Sequence, residues 1–426
     1  MTQARFVDRI GKLPVPEVFN VALRLLITGP LDVAALHTAL TGLTERHESL
    51  RTRCVRGERP EDWWQQVLPA APVRPPVEDL RGLDEAEREE ELSRISTEAA
   101  RHPFDIEAGA HPAVRLVRTG EESWALVFVM HHSMCDGWAV SLLLKDLAAL
   151  YRAAVTGEPH GLPAATQQSA YARAEQLRGQ ADREDDYAYW ERQLKDAPPF
   201  THDLPVDRPR PEKLSGLGQV AQFTVPSQVR ARVEELAGRL GTTPFAVTVT
   251  ALGRFMGSLN GRTDHLMQVA YANRARREEE TLLACTVSSM LLRLRTEPST
   301  PFADQVRETA RAAAEALEHL MPLSVFGPRL RERGLPDVPD RLDYGFQYQS
   351  SLETDIDLPG LTVQVEDLTI PAARGEFNLG LVPAGEVYAG YLEYTTDLWN
   401  ADTIDSWTGR YTALLDELVT RALTSG

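Results

Sequence analysis

The sequence feature that most constrains the fold is the segment Met130–Trp138, which joins an apolar run to an amphipathic helix pattern. The run before it, Trp124–Met130, is apolar and rich in β-formers, which predicts a strand buried on both faces. After it, from Val140 to Tyr151, apolar residues recur at helical spacing. The segment is therefore predicted to be a turn from a buried strand into a helix.

Two adjacent histidines, His131 and His132, end the predicted strand. Successive strand side chains point to opposite faces, so both cannot enter one site. One of them is expected to face a cavity and the other to pack. Gly137 lies where the helix starts, and an unpaired amide at that position is suited to face a developing negative charge.

The pattern His-His-x-x-x-Asp-Gly-Trp resembles the core motif of the condensation domains of nonribosomal peptide synthetases, which belong to the chloramphenicol-acetyltransferase-like superfamily. Further segments resemble family signatures in the correct order. They are Thr2–Phe6, Arg46–Thr52, Tyr189–Trp190, Leu204–Pro211, Asn273–Arg274, Val287–Leu291, Phe346–Gln349 and Tyr394–Leu398. The resemblance therefore extends over essentially the whole chain.

The resemblance implies an α/β (α+β) fold of two chloramphenicol-acetyltransferase-like lobes, which form a V-shaped pseudo-dimer with a central channel. The mixture of predicted strands and helices in both halves agrees with two similar lobes. We expect the N-terminal lobe, residues 1–180, to carry the histidine motif. Residues 181–426 are expected to form the C-terminal lobe.

The resemblance gives His132 the catalytic role, either as a general base or as the group that positions the attacking amine. With His132 in that role, His131 is expected to be structural, because strand alternation then turns it away from the site. Asp136 has two interpretations: it orients His132 as in a catalytic triad, or it is a buried acid that pairs with Arg274, from the other lobe in relatives, and fixes the loop. Gly137 either only permits a tight turn, or its amide also stabilises the oxyanion of the tetrahedral intermediate.

Three further positions are expected to shape a substrate channel. Trp138 is predicted to be half core and half channel wall. Many relatives read Phe-Val-Asn-Thr where this chain has Thr286–Ser289, and Phe-Asn-Tyr-Gln where it has Gln347. Both segments line the channel in relatives, so Ser288 and Gln347 predict a change in substrate choice more than in the reaction.

Metal and thiol chemistry fit the motif poorly. The two histidines diverge and no further ligands are suitably spaced, so no metal site is predicted. The three cysteines, Cys54, Cys135 and Cys285, have neither metal nor disulfide spacing and are expected to be reduced thiols. Cys135, inside the motif, is expected to pack rather than to act as a nucleophile.

Composition excludes several classes of protein. A net charge of -17 argues against a nucleic-acid partner, because phosphate binding needs a basic surface. The acidic stretches Asp84–Glu91 and Glu278–Glu280 are predicted to be solvated surface rather than metal sites. No apolar run is long enough to cross a membrane and no signal peptide is recognisable, so we expect a cytoplasmic monomer without a membrane partner.

The resemblance implies acyl or aminoacyl transfer from a carrier-protein thioester to an amine, or to a hydroxyl if the product is an ester. The thioester would be carried by phosphopantetheine on the partner carrier protein, with no cofactor bound by the chain itself. The acceptor is expected to be a second carrier or a free small molecule, and the chain to act in trans unless it was cut from a larger synthetase. Two alternatives are an acyltransferase of the same superfamily that uses acyl-coenzyme A and a non-catalytic condensation-like module that recruits a partner.

Overall fold

The computed structural model describes residues 13–58, 63–109, 111–179, 183–201, 203–274, 276–321, 323–339, 342–349 and 356–424. The first family signature, residues 2–6, and the expected lobe boundary at residues 180 and 181 lie outside these ranges.

The strands, in chain order, are β1 (Asn20–Thr28), β2 (Thr52–Arg56), β3 (Trp63–Val67), β4 (Val77–Asp79), β5 (Ala113–Arg118), β6 (Ser123–His131), β7 (Gly218–Val225), β8 (Asp264–Tyr271), β9 (Ser288–Arg295), β10 (Tyr344–Tyr348), β11 (Thr362–Asp367), β12 (Phe377–Ala384) and β13 (Val387–Thr395). The α-helices are α1 (Val33–Arg46), α2 (Glu85–Ala100), α3 (Gly137–Thr156), α4 (Gln168–Gly179), α5 (Glu184–Leu194), α6 (Ser227–Leu240), α7 (Pro244–Asn260), α8 (Phe302–Glu318), α9 (Leu323–Glu332) and α10 (Ala401–Thr424). Short 3₁₀ helices span Pro16–Phe19, Glu48–Arg51 and Arg277–Thr281.

The chain forms two compact units that are not each continuous in sequence. The first comprises Met1–Ala181, Ala272–Val287 and Leu352–Ile370, and the second comprises Asp182–Tyr271, Ser288–Ser351 and Pro371–Gly426. A single division at residue 180 therefore differs from the structure, because two segments of the second half pack with the first unit. One of them contains β11, which pairs with β1, and the other contains Arg274, which pairs with Asp136.

The first unit is built on a five-stranded sheet in the order β11-β1-β6-β5-β4, in which only β4 and β5 are parallel. β6 is buried along its length from Trp124, as its unbroken apolar sequence predicts. Its alternate residues serve different faces. Trp124, Leu126, Phe128 and Met130 join the core formed with α1 and α3, whereas Ala125, Val127 and Val129 pack against α2.

Two helices cover the first of these faces. α1 begins at Val33, because the Asp32 side chain accepts a hydrogen bond from the amide of Ala35 at 2.9 Å and so caps the helix. The buried Leu50 follows in a separate 3₁₀ turn, Glu48–Arg51. α3 runs from the histidine motif to Gly157, whose left-handed conformation ends it.

The other face is covered by α2, which the sequence analysis did not predict. The acidic stretch forms its N-cap and first two turns, and Asp84 and Glu87 form a reciprocal capping box there. Most of these acidic side chains are exposed, as expected. The apolar stripe of Leu92, Ile95 and Ala99 follows only in the second half of the helix.

The second unit is built on a six-stranded sheet in the order β7-β13-β12-β10-β8-β9. β10 runs parallel to both β12 and β8, and the other pairs are antiparallel. The helices of this unit, α5 to α10, contribute to a single large core with the sheet. Two helices, α4 and α5, precede this sheet in the described chain.

Within the described ranges, no helix has the length and apolar character needed to cross a membrane.

Candidate active site

The histidine motif is the turn between β6 and α3. The antiparallel pairing of β6 with β1 reaches His131, opposite Asn20. The amide of His132 then donates to the carbonyl of Phe19 at 2.7 Å, and the amide of Met134 turns back to the carbonyl of His131 at 2.9 Å. These bonds fix the backbone of both histidines, although His132 lies beyond the last strand residue.

His131 is a packing residue. It is 2% exposed, and its ring lies edge-on to Phe19 and Phe104 with centroids 6.1 and 6.0 Å away. Burial, followed by the neighbouring His132, lowers the pKa of His131 to about 3, so the ring is neutral near pH 7. The amide of Ser133 donates to Nδ1 at 3.1 Å, which places the ring proton on Nε2.

His132 has a different environment, since it is only partly buried. Its Nδ1 lies 3.6 Å from the sulfur of Cys285, within the range of a weak hydrogen bond to sulfur. Cys285 itself is 1% exposed. Burial, followed by the nearby Asp136 and Cys135, raises the pKa of the Cys285 thiol well above its usual range, so the thiol is neutral.

Asp136 connects the motif to the segment Ala272–Val287. Arg274 donates from Nη1 to Oδ2 at 2.8 Å and from Nη2 to Oδ1 at 3.0 Å, and both side chains are almost fully buried. The amide of Ala139 donates to Oδ1 at 3.0 Å, which caps α3, and the amide of Thr286 donates to Oδ2 at 2.9 Å. One carboxylate therefore starts the helix and holds the segment that carries Cys285.

These contacts bear on the two interpretations of Asp136. Among the described residues, its hydrogen bonds go to Arg274, Thr286 and Ala139 and none goes to His132. The geometry is that of a buried acid paired with an arginine, not of a triad. The arginine belongs to the same unit as Asp136.

Gly137 is the first residue of α3 and has a negative φ. Its backbone does not adopt the left-handed conformation that favours glycine, so the turn alone does not account for this residue. Amides at the first positions of a helix have no partner inside the helix. The geometry thus keeps the second interpretation of Gly137 open, in which the amide faces an oxyanion.

Trp138 lies on the outer side of the same helix start and is 45% exposed. Its indole Nε1 donates to the carbonyl of Glu280 at 3.0 Å, and its ring lies 5.8 Å from the guanidinium carbon of Arg274. Trp138 therefore partly covers the Asp136–Arg274 pair.

The acidic triplet Glu278–Glu280 was predicted to be solvated, but its middle residue, Glu279, is buried. The carboxylate of Glu279 accepts a hydrogen bond from the amide of Arg276 at 3.1 Å.

A second buried carboxylate, Asp146, lies further along α3. It accepts hydrogen bonds from Arg46 at 2.7 Å and from His47 at 2.8 Å. Burial would raise its pKa, but the hydrogen bonds from His47 and Arg46 outweigh burial and hold the pKa below the usual range. This cluster joins the Arg-His-Glu signature to the helix that carries the motif.

Cys135, the cysteine within the motif, is fully buried, and its thiol contacts the carbonyl of His131 at 3.9 Å. Burial, followed by Asp136, raises its pKa far above the usual range, which disfavours a nucleophilic thiolate. In the described part of the chain, no three His, Cys, Asp or Glu side chains are grouped to hold a metal ion.

Ser288 and Gln347 belong to the second unit, on β9 and β10, whereas Trp138 belongs to the first. β9 and β10 lie on opposite sides of β8. Gln347 accepts a hydrogen bond from the hydroxyl of Tyr391 at 2.5 Å.

Sequence reasoning missed Cys285 and the amide of Thr286 as neighbours of the motif. Cys285 is 153 residues from His132, and a lone cysteine gives no spacing from which to infer its neighbour. The departure from the family pattern at Thr286–Ser289 predicts a change in substrate choice, and it does not indicate that the amide of Thr286 bonds to Asp136.

The chain is similar to known proteins over nearly its whole length. A family model described as "Condensation domain" matches residues 12–424. Phosphinothricin tripeptide synthetase PhsC from Streptomyces viridochromogenes is 31% identical over 413 residues, which cover 94% of this chain. The chain spans only 37% of the length of that synthetase.

Solved structures have the same fold. The X-domain from teicoplanin biosynthesis superposes with a TM-score of 0.81 at 24% identity, covering 98% of this chain and 94% of that one. The SgcC5 protein from Streptomyces globisporus superposes with a TM-score of 0.75 at 24% identity, covering 96% and 94%. These likenesses confirm the predicted mixed α/β fold of the chloramphenicol-acetyltransferase-like type.

Proposed function

The chain belongs to the condensation domain family, whose members form amide bonds in nonribosomal peptide synthesis, and we propose that it transfers an acyl or aminoacyl group from a carrier-protein thioester to an amine. Condensation domains act on substrates bound to carrier proteins, so the donor thioester is carried by phosphopantetheine on a partner. The single observation that carries the proposal is the intact motif, with His132 partly exposed and Asp136 paired with Arg274 in a buried ion pair.

Acyl transfer from a thioester to an amine requires few catalytic groups. A thioester is an activated acyl donor, so catalysis needs proximity between donor and amine and the management of one proton. The amine nitrogen bonds to the thioester carbon, and the carbon–sulfur bond breaks. The phosphopantetheine thiolate leaves and takes up the proton that the amine loses, so the products are the amide and the free thiol. His132 serves as the general base for that proton or positions the amine.

The other residues of the motif serve this step in different ways. We propose that the Gly137 amide, at the start of α3, donates to the oxyanion of the tetrahedral intermediate. Asp136 and Arg274 hold the turn in place. Trp138, Ser288 and Gln347 are the proposed channel positions that select the substrates.

The test is intact-mass analysis of a peptidyl carrier domain. The carrier is loaded with L-leucyl, L-phenylalanyl or octanoyl groups and incubated with the protein and a panel of free amino acids and their N-acetylcysteamine thioesters. We expect the carrier to lose its acyl mass as an amide product appears. His132→Ala should reduce turnover by ~10²-fold or more, and the exposed His160→Ala is the control. Wild-type turnover by His132→Ala would remove His132 from the mechanism.

The same assay separates the alternatives. The SgcC5 structure contains (R)-(-)-1-(2-naphthyl)-1,2-ethanediol, so this diol is added as a hydroxyl acceptor, and an ester product is recognised by its cleavage with hydroxylamine. A starter condensation domain of rhizomide synthetase was solved with C8-CoA, so octanoyl-coenzyme A is offered as a rival donor.

A teicoplanin X-domain was solved in complex with OxyB, which motivates the recruitment alternative. Absence of any product with every donor, together with stoichiometric binding of a partner protein, would replace the catalytic proposal with recruitment. The intact histidine motif of this chain favours catalysis.

A further inference from the structure

We propose that Cys285 is a positioning residue for His132: its buried thiol engages Nδ1 and sets the rotation of the imidazole ring during acyl transfer. This inference rests on the proposed function of His132. It concerns a residue outside the histidine motif, brought to His132 by the segment Ala272–Val287.

The backbone on both sides of the contact is fixed. On one side, the amide of His132 is bonded to the carbonyl of Phe19 at 2.7 Å. On the other side, Arg274 donates to the carbonyl of Ala284 at 3.0 Å, and the amide of Thr286 is bonded to Asp136 at 2.9 Å. Cys285 therefore lies between two anchored residues, and its thiol is held where it meets the ring of His132.

The contact between the Cys285 thiol and Nδ1 restricts the rotation of the His132 ring. The sulfur lies 3.6 Å from Nδ1, and burial of Cys285 leaves the thiol little room to turn elsewhere. Engagement of Nδ1 defines the direction in which the Nε2 edge points. Small displacements of a reacting group cost a large factor in rate, so a fixed ring orientation favours catalysis.

The chemistry of the contact differs from that of a triad. A triad carboxylate orients the histidine and also stabilises the imidazolium that forms. The Cys285 thiol is neutral and is only a weak donor and acceptor, so it orients the ring without contributing charge. The carboxylate of the motif, Asp136, is bonded to Arg274 and Thr286 instead of acting as a triad carboxylate. A modest base is sufficient for a thioester donor.

The kinetic test compares Cys285→Ala with Cys285→Ser in the carrier-domain assay. Alanine removes the contact, so we expect kcat to fall by ~10-fold with the donor KM unchanged, because orientation rather than binding is lost. Serine keeps a small group with a hydrogen-bond donor and is expected to restore most of kcat. Cys54→Ala, a buried cysteine on β2, is the control for the loss of a thiol in the same unit.

A second readout does not depend on turnover. Two-bond ¹H–¹⁵N spectra of histidine-labelled full-length protein report the ring nitrogens, and the His132 signals are assigned by their absence from His132→Gln. We expect the Nδ1 resonance of His132 to move in Cys285→Ala, to move back in Cys285→Ser, and to stay in place in Cys54→Ala.

Several outcomes would overturn the inference. A folded Cys285→Ala protein with wild-type kcat would overturn it, whatever the position of the Nδ1 resonance. An equal loss of kcat in Cys285→Ala and Cys285→Ser would also overturn it, because it would indicate a role in packing alone. If the wild-type protein turns over none of the donors, the proposed function fails. The Nδ1 resonance then still decides whether Cys285 orients the ring.

Discussion

Helix α3 carries two buried carboxylates that are held in different ways. Among the described residues, Asp136, at its N-terminus, has one cationic partner, Arg274, together with two backbone amides and the hydroxyl of Thr286. Asp146, within the helix, has two side-chain partners, Arg46 and His47. Removing one partner from a buried ion pair is costly because it leaves an uncompensated charge. Compensation of the Asp136 charge is therefore expected to depend on Arg274 alone. At Asp146, one partner remains when the other is removed.

The largest expected effect is that of Arg274→Ala. The variant leaves Asp136 buried without a cation and is expected to lower the free energy of unfolding by ~3–5 kcal/mol. Urea unfolding of the intact chain measures this loss, and turnover should fall with it because the turn loses its anchor. The matched variant is Arg46→Ala, after which Asp146 keeps His47 at 2.8 Å, so a smaller loss of ~1.5–3 kcal/mol is expected. Equal losses would contradict the proposed difference between the two carboxylates.

An intermediate effect is expected in the pH dependence of stability. The pKa of Asp146 is lower in the folded protein than in the unfolded chain, so its contribution is present above the unfolded value of ~3.9 and is lost as pH falls through the folded value. Asp146→Asn should therefore be less stable than the wild type at pH 7, and this deficit should shrink as pH approaches 3. Thermal unfolding between pH 7 and pH 3 measures the deficit. A deficit that is constant over this range would show that charge is not what stabilises the cluster.

The smallest expected effect is that of Trp138→Phe. Phenylalanine keeps an aromatic ring near Arg274 but loses the indole hydrogen bond to the carbonyl of Glu280, so a loss of ~1 kcal/mol is expected. Urea unfolding measures it, with Trp64→Phe as the control because Trp64 is similarly exposed. A loss as large as that of Arg274→Ala would mean that the aromatic cover, rather than the ion pair, holds the segment.

Much of the first unit follows from sequence patterns. The uninterrupted apolar run Trp124–Met130 predicts β6 because a strand between two layers needs apolar residues on both faces. The periodicity after Val140 predicts α3 for the corresponding reason. The alternation along β6 also predicts that His131 and His132 have different surroundings. It does not say which one is buried, and the resemblance supplied that choice.

Other parts were not predictable in this way. Helix α2 was missed because its charged first half conceals the apolar stripe that begins at Leu92. Strand β11 was missed because a short edge strand with half-exposed residues gives a weak pattern. The contact of His132 with Cys285 depends on tertiary packing over 153 residues, which no local period encodes.

The segment Ala272–Val287 has a consequence for recombination. It connects β8 and β9, which pair directly in the second unit, yet it contributes Arg274, Cys285 and Thr286 to the surroundings of the motif. A chimera that exchanges residues 1–181 alone would combine the histidine motif of one parent with the arginine, cysteine and threonine of another. The residues of this site are therefore encoded in two separate stretches of the gene, and a functional chimera has to take residues 1–181 and the segment Ala272–Val287 from the same parent.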